Sequence, residues 1–158
     1  MGRDHPQCRP EVRPAGVGHF VCQNKQALAN ALYDILDDTG DVARAAARRR
    51  SFSGGKSGEK FLAEMFGGRS QAYFPTSKGA RYVDQLVGRV AHESKVGYVS
   101  ATDFIKRQVA KDAELLATKN VDSVVWHFFR SADTGKIGPS APLANLLKSP
   151  GITVIIYD

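Results

Sequence analysis

The stretch YVDQLVGRVAHESKV, residues 82–96, decides the fold of this 158-residue chain. Two runs rich in apolar and β-branched residues flank a central Gly-Arg dipeptide, and this pattern predicts a β-hairpin with a two-residue turn. In that register Asp84 lies opposite Glu93, and Lys95 lies on the same face of its strand as Glu93. The stretch therefore predicts a hairpin that brings two carboxylates and a lysine together on one face.

The segments around the hairpin indicate a mixed α/β (α+β) domain, with a central mixed sheet flanked by helices. The longest helix is expected to be capped by Ser100. The last strand, helix and strand are typical of a parallel crossover, and the final apolar strand is expected to be buried on both faces. The predicted elements are helix Gly58–Phe66, strands Gln71–Phe74, Tyr82–Val87 and Val90–Val96, helix Ser100–Ala117, strand Val121–Phe129, helix Leu143–Lys148 and strand Ile152–Tyr157.

The first third of the chain has a different character. Residues 1–22 contain several prolines and glycines without a steady period, so an irregular lead-in is expected there. Helical patterns start at Asn24, and residues 51–57, rich in Ser and Gly, are expected to form a flexible joint. These changes divide the chain into a lead-in with a small helical segment, residues 1–52, and a main domain, residues 53–158.

The lead-in contains the pattern His-x2-Cys twice, as His5 with Cys8 and as His19 with Cys22. Four such side chains could hold Zn²⁺ tetrahedrally. A disulfide between the two cysteines, or two free thiols, is the favoured alternative, because zinc sites usually use Cys-x2-Cys spacing.

The charge of the chain restricts the class of its partners. A composition of 42% hydrophobic and 24% charged residues is that of a globular domain. The net charge of +6 favours a polyanion, meaning nucleic acid, an anionic membrane or an acidic protein. No apolar run approaches the roughly 20 residues of a membrane span, and the N-terminus lacks the apolar stretch of a signal peptide.

Two carboxylates opposed across a hairpin normally destabilise it. A divalent cation between Asp84 and Glu93 would remove this cost, and Mg²⁺ commonly binds through one or two carboxylates while keeping waters and phosphate oxygens. The alternative is a solvated sheet face on which these carboxylates and Lys95 form a surface ion pair. The spacing alone leaves both interpretations open.

The order of these motifs resembles the PD-(D/E)XK nuclease superfamily, which has the restriction-endonuclease-like fold. The motif reads here as Asp84, eight residues, then Glu93-Ser94-Lys95, with Val83 in place of the usual proline. The helix that carries Glu59 is similar to the family's first helix, which supplies an additional acid. The segment Gln108–Lys111 is similar to the polar helix that lines the family's site.

The resemblance implies a metal-dependent endonuclease. Asp84 and Glu93 would hold the divalent metal, Mg²⁺ in the first place and Mn²⁺ or Zn²⁺ as alternatives. Lys95 would orient or deprotonate the attacking water. The residues that complete the site by resemblance are the additional acid and two polar side chains that steady the phosphate backbone, Glu59, Gln108 and Lys111.

Shorter phrases resemble a narrower group. The phrases GARYVD (79–84) and WHFF (126–129) are similar to toxin domains at the C-termini of bacterial polymorphic toxins, including the CdiA-type effectors of contact-dependent growth inhibition. This resemblance implies a monomeric toxin cut from a larger secreted effector, delivered to the target-cell cytoplasm and neutralised by an immunity protein, which we expect to be acidic. A lead-in without a signal peptide agrees with that expectation.

The substrate stays open between DNA, which is favoured, and tRNA or other RNA. A non-catalytic basic domain that binds nucleic acid is the alternative from another class. His127 lies on an aromatic strand, either as a core histidine or as a contact to phosphate. The basic residues that could follow the phosphate backbone, or form only a solvated surface, are Arg48, Arg49, Arg50 and Lys56.

Overall fold

The computed structural model describes residues 8–11, 19–22 and 50–158 of the chain. The chain divides into two compact units, Met1–Ala45 and Ala46–Asp158. In the first unit, strands β1 (Cys8–Glu11) and β2 (His19–Cys22) pair antiparallel, and Cys8 is opposite Cys22 in the register. The predicted helices of residues 24–49 and the candidate zinc ligand His5 lie outside the described residues.

The second unit has a six-stranded mixed sheet with helices on both faces, which confirms the predicted α+β class. Its described elements are β3 (Ser51–Phe52), α1 (Gly55–Phe66), β4 (Arg69–Phe74), β5 (Arg81–Val87), β6 (Val90–Val96), β7 (Tyr98–Val99), α2 (Asp103–Ala117), β8 (Ser123–Ser131), β9 (Gly138–Pro139), α3 (Ala141–Lys148) and β10 (Thr153–Tyr157).

The strand order is β10-β8-β6-β5-β4, and β3 also pairs with β8. Strands β4, β5 and β6 are antiparallel neighbours, whereas β6, β8 and β10 run parallel. The parallel pair β8 and β10 confirms the predicted crossover through α3. Within the described residues, no helix combines the length and the hydropathy needed to span a membrane.

Separate apolar clusters lie on the two faces of this sheet. On one face, Trp126 and Phe128 of β8 pack with side chains of α2 and α3. On the other face, Phe129 packs with Phe61 and Leu62 of α1. Because successive residues of a strand point to opposite faces, α1 lies across the sheet from α2 and α3.

The predicted flexible joint at residues 51–57 is wrong. Ser51 and Phe52 pair with β8, and α1 begins at Gly55, three residues before its predicted start. Phe52 explains the difference, because its ring is buried against Phe61 and Phe129 at centroid distances of 5.1 Å. A single large apolar side chain therefore outweighs the Ser and Gly around it.

Two further expectations are wrong in detail. Helix α2 begins at Asp103, and its cap is Thr102, whose hydroxyl accepts a hydrogen bond from the Ile105 N–H, in place of the predicted Ser100. Strand β10 is an edge strand with Ile156 42% exposed, so it is not buried on both faces. Apolar composition marked β10 as a strand but did not show which neighbours cover it.

Candidate active site

The β5–β6 hairpin has the predicted register as far as Gln85. Gln85 pairs with His92, and the two pairs nearer the turn continue that register. The ladder ends there, and the Asp84 carboxylate accepts a hydrogen bond from the Ser94 backbone N–H at 2.8 Å. Asp84 nevertheless stays close enough to Glu93 for the two carboxylates to repel each other.

Strand β5 reverses the direction of its side chains at Asp84. Val83 and Leu86 both pack in the cluster beneath α2 and α3, whereas Gln85 donates to a backbone carbonyl at the end of α1. Regular alternation would place Val83 and Gln85 on the same face. The β4–β5 register also skips Asp84 and Gln71, and Gln71 has a φ of 50°. Irregularities of this kind re-aim side chains and are common beside active sites.

Glu93 is buried and held by three donors. Lys95 Nζ and Gln108 Nε2 donate to its Oε1, the former at 2.6 Å, and the Arg81 guanidinium donates to its Oε2 at 2.8 Å. Burial by itself would raise the pKa of Glu93, but the charges of Lys95 and Arg81 outweigh burial and hold it below the ordinary value. Glu93 is therefore ionised at neutral pH.

Asp84 is in the opposite electrostatic situation. Its pKa rises to about 7, first because of burial and then because of the charges of Glu93 and Glu59. The Ser94 N–H and the Lys95 ammonium oppose this rise without cancelling it. The Asp84 carboxylate thus lies where a further positive charge would be stabilising.

Lys95 is held in place by contacts on several sides. Besides its bond to Glu93, its ammonium donates to Gln108 Oε1 at 3.0 Å and lies 4.6 Å from the centre of the Trp126 ring. Cation–π contact and hydrogen bonding together leave the side chain little rotational freedom. Helix α2 therefore contributes Gln108 to the orientation of both Lys95 and Glu93.

Arg81 and Asp112 belong to the same network, and the sequence analysis did not select them. Asp112 is fully buried and accepts from Arg81 at 2.5 and 3.0 Å and from the Trp126 indole at 2.9 Å. A signal was present, because Asp112 continues the apolar stripe of Ile105 and Val109 on α2. A carboxylate on such a stripe requires a buried cation as its partner.

The remaining candidates by resemblance have different positions. Glu59 is half-buried on α1, accepts a hydrogen bond from Gln71 at 3.4 Å and lies near enough to Asp84 to affect its charge. Lys111 has a different partner, since its ammonium donates to the Ala80 carbonyl at 2.8 Å. We therefore assign Lys111 to holding the β4–β5 turn against α2.

His127 is a core residue in this structure. It is 1% exposed, and its two ring nitrogens lie 2.9 Å from His92 Nδ1 and from the Tyr157 hydroxyl. These contacts are on the α1 face, whereas Glu93 contacts α2 through Gln108. The burial of His127 agrees with its interpretation as a core histidine, and a contact with phosphate would require its side chain to become uncovered.

The basic candidates are only partly described. Arg48 and Arg49 lie outside the described residues. Arg50 is exposed, and its guanidinium lies 5.2 Å from the centre of the Phe61 ring. Lys56 is exposed in the first turn of α1, three residues before Glu59 and hence on the same side of the helix.

A divalent cation at this site would have few protein ligands. Within residues 50–158 and the two short strands, no group of three or more His, Cys, Asp or Glu side chains could hold a metal ion. Two carboxylates, Asp84 and Glu93, would therefore be the acidic ligands, with water and phosphate oxygens as the others, which is how Mg²⁺ is commonly bound. Burial first, and then the charges of Glu93 and Glu59, raise the pKa of Asp84, and a bound cation would oppose these effects.

Comparison of the chain with protein-family models, with curated proteins and with solved structures gives no significant match.

Proposed function

We propose that this protein is a metal-dependent endonuclease that hydrolyses phosphodiester bonds of nucleic acid. One observation carries the proposal. Asp84 leaves the β ladder beside the buried pair of Glu93 and Lys95, and repulsion between the carboxylates contributes to raising its pKa to about 7. Such an arrangement lowers the stability of the folded protein, but it would help to hold a cation against a phosphate.

Asp84 and Glu93 are the residues that would hold the metal. The bound ion supplies Lewis acidity to the scissile phosphate and lowers the pKa of a water molecule. The charges of Lys95 and then of Arg81 keep Glu93 ionised, and the Arg81 guanidinium donates to its carboxylate. The two acids thus have separate roles, since Glu93 is ionised at neutral pH, whereas Asp84, with a pKa of about 7, would become fully ionised when a cation compensates it.

Lys95 is the proposed residue that acts on water and on developing charge. Gln108 and Glu93 hold its ammonium beside the carboxylates, so it can orient the attacking water and stabilise the additional negative charge of the transition state. Gln108 acts through these contacts as a positioning residue. Glu59 adds a further acid near Asp84.

Nucleic acid is the proposed substrate because the net charge of +6 attracts a polyanion to a site that itself presents acids. DNA is favoured, and tRNA or other RNA is the alternative. In keeping with the resemblance to polymorphic toxins, we propose delivery to the cytoplasm of target bacteria as part of a larger effector. An acidic immunity protein would then cover the carboxylate site or the basic surface.

The test is cleavage of plasmid DNA and of total tRNA with Mg²⁺, Mn²⁺ or EDTA. We expect cleavage of at least one substrate with metal, none with EDTA, and none by Asp84→Asn. Asp133→Asn, which neutralises an exposed carboxylate elsewhere, is the matched control and should cleave like the wild type. Binding of both substrates without any cleavage would instead indicate a non-catalytic nucleic-acid-binding domain.

A further inference from the structure

Two exposed tyrosines form a pair on the β4–β5 hairpin. Tyr73 and Tyr82 are directly opposed in the register, 54% and 52% exposed, with ring centres 5.3 Å apart. Single exposed aromatics are ordinary, but these two adjacent rings, tilted by 52° to each other, together form an exposed aromatic surface. Such a surface is suited to stacking against another planar group.

The pair lies close along the strands to Asp84 and to the contact between Gln71 and Glu59, whereas Glu93 and Lys95 contact α2. Tyr82 precedes Asp84 by two residues, and Tyr73 follows Gln71, the partner of Glu59, by two residues. Two residues span about 6.6 Å along a strand. Val83, which lies between Tyr82 and Asp84, points into the core on the α2 face. Tyr82 and its paired residue Tyr73 therefore lie on the opposite face of the hairpin.

We propose that Tyr73 and Tyr82 stack against a nucleobase next to the scissile phosphate, so that the substrate is single-stranded or locally unpaired. This inference rests on the proposed function. Inside a duplex, both faces of a base are covered by its neighbours, whereas an unpaired base can place its ring against an aromatic side chain. The tyrosines therefore select for unpaired nucleotides at the cleavage position.

Charge supports an occupant of this kind. Asp84, Glu93 and Glu59 repel a phosphate backbone until a cation is bound, so substrate affinity must come from elsewhere. Stacking on tyrosine supplies affinity that carries no charge and is tolerant of base sequence. The exposed ammonium groups of Lys56 and Lys60 on α1 flank Glu59 and can contact neighbouring phosphates.

The test measures binding apart from cleavage. Fluorescence anisotropy in EDTA would compare labelled single-stranded DNA, single-stranded RNA and the matching duplexes. We expect tighter binding of a single strand than of its duplex, and a loss of roughly tenfold for each of Tyr73→Ala and Tyr82→Ala. The Phe variants should bind like the wild type, because they keep the ring.

Tyr98→Ala is the matched control. Tyr98 is 54% exposed and lies on a separate two-stranded sheet with Gly138. Its removal should leave binding unchanged. Circular dichroism and urea unfolding of each variant would show whether it is folded, and exposed tyrosines are expected to be replaced at little cost in stability.

The outcomes separate this inference from the proposed function. Equal binding of single strand and duplex, or unchanged binding by both Ala variants, would overturn the stacking role even if the wild type cleaves nucleic acid. Tyrosine-dependent binding of single strands without cleavage under any metal would support the stacking role and refute the nuclease. The DNA and RNA arms identify which strand is preferred.

Discussion

Replacement of Asp84 by Asn is expected to make the metal-free protein more stable while abolishing cleavage. Asn has nearly the same size, and its side-chain carbonyl can keep the hydrogen bond from the Ser94 N–H. The change removes a charge that burial, Glu93 and Glu59 oppose in the metal-free protein. Residues that serve function commonly lower the stability of a protein, so replacing Asp84 by an uncharged side chain should increase the free energy of unfolding.

The expected gain follows from the pKa of Asp84, which rises from an ordinary value of 3.8 to about 7. At about 1.4 kcal/mol for each pH unit, this difference corresponds to at most ~4.5 kcal/mol. Water around the half-buried carboxylate reduces it, and we expect about 2–3 kcal/mol.

The pH dependence has a defined sign. Between roughly pH 4 and pH 7 the native state binds the Asp84 proton more tightly than the unfolded state, so this contribution to wild-type stability decreases as pH rises. The advantage of Asp84→Asn over the wild type should therefore be close to zero at about pH 4 and complete above about pH 7.

Urea unfolding in EDTA at several pH values measures this difference, with Asp133→Asn as the control for neutralising an exposed carboxylate. The control should stay within about 0.5 kcal/mol of the wild type. Adding Mg²⁺ or Mn²⁺ should then stabilise the wild type and leave Asp84→Asn unchanged, because a ligand stabilises the state that binds it. A less stable Asp84→Asn at pH 8, or an equal response of both proteins to metal, would refute the reasoning.

Three further predictions address other parts of the fold. Lys95→Met should lower the cleavage rate by about 100-fold or more, and unchanged cleavage would exclude Lys95 from the reaction. The same variant should bind Mn²⁺ more tightly in calorimetry, because the ammonium no longer occupies Glu93 Oε1. Gly58→Ala should lower the melting temperature although Ala favours helices, because its Cβ would lie 2.4 Å from Ser94 Oγ; an unchanged melting temperature would mean that α1 can shift freely. Burial lowers the pKa of His92 to about 4, so stability should decrease as pH falls from about 6.5 to 4, and His92→Gln should flatten this part of the urea-measured profile; a profile unaffected by the substitution would argue against a buried neutral imidazole.

The hairpin and the proximity of its acids could be predicted because they depend on local spacing. A two-residue turn sets the register as far as Gln85, and Asp84, the next residue of β5, lies near Glu93 without reference to any distant element. The hydrogen-bond partners of Glu93 could not be predicted from local spacing. In the regular register Arg81 would be opposite Val96 and would point away from Glu93. It reaches Glu93 only because β5 reverses its side-chain direction at Asp84.

By itself, the sequence determined most of the element types, the hairpin register as far as Gln85 and the proximity of two carboxylates to a lysine. Only the tertiary structure decided which charged groups are buried together, which histidine is enclosed and which strand lies at the edge. The pairing of Arg81 with Asp112 and the burial of His127 both depend on helices from distant parts of the chain. Turn geometry and alternation act between near neighbours, whereas burial and the direction of a side chain at an irregularity are set by packing across the sheet.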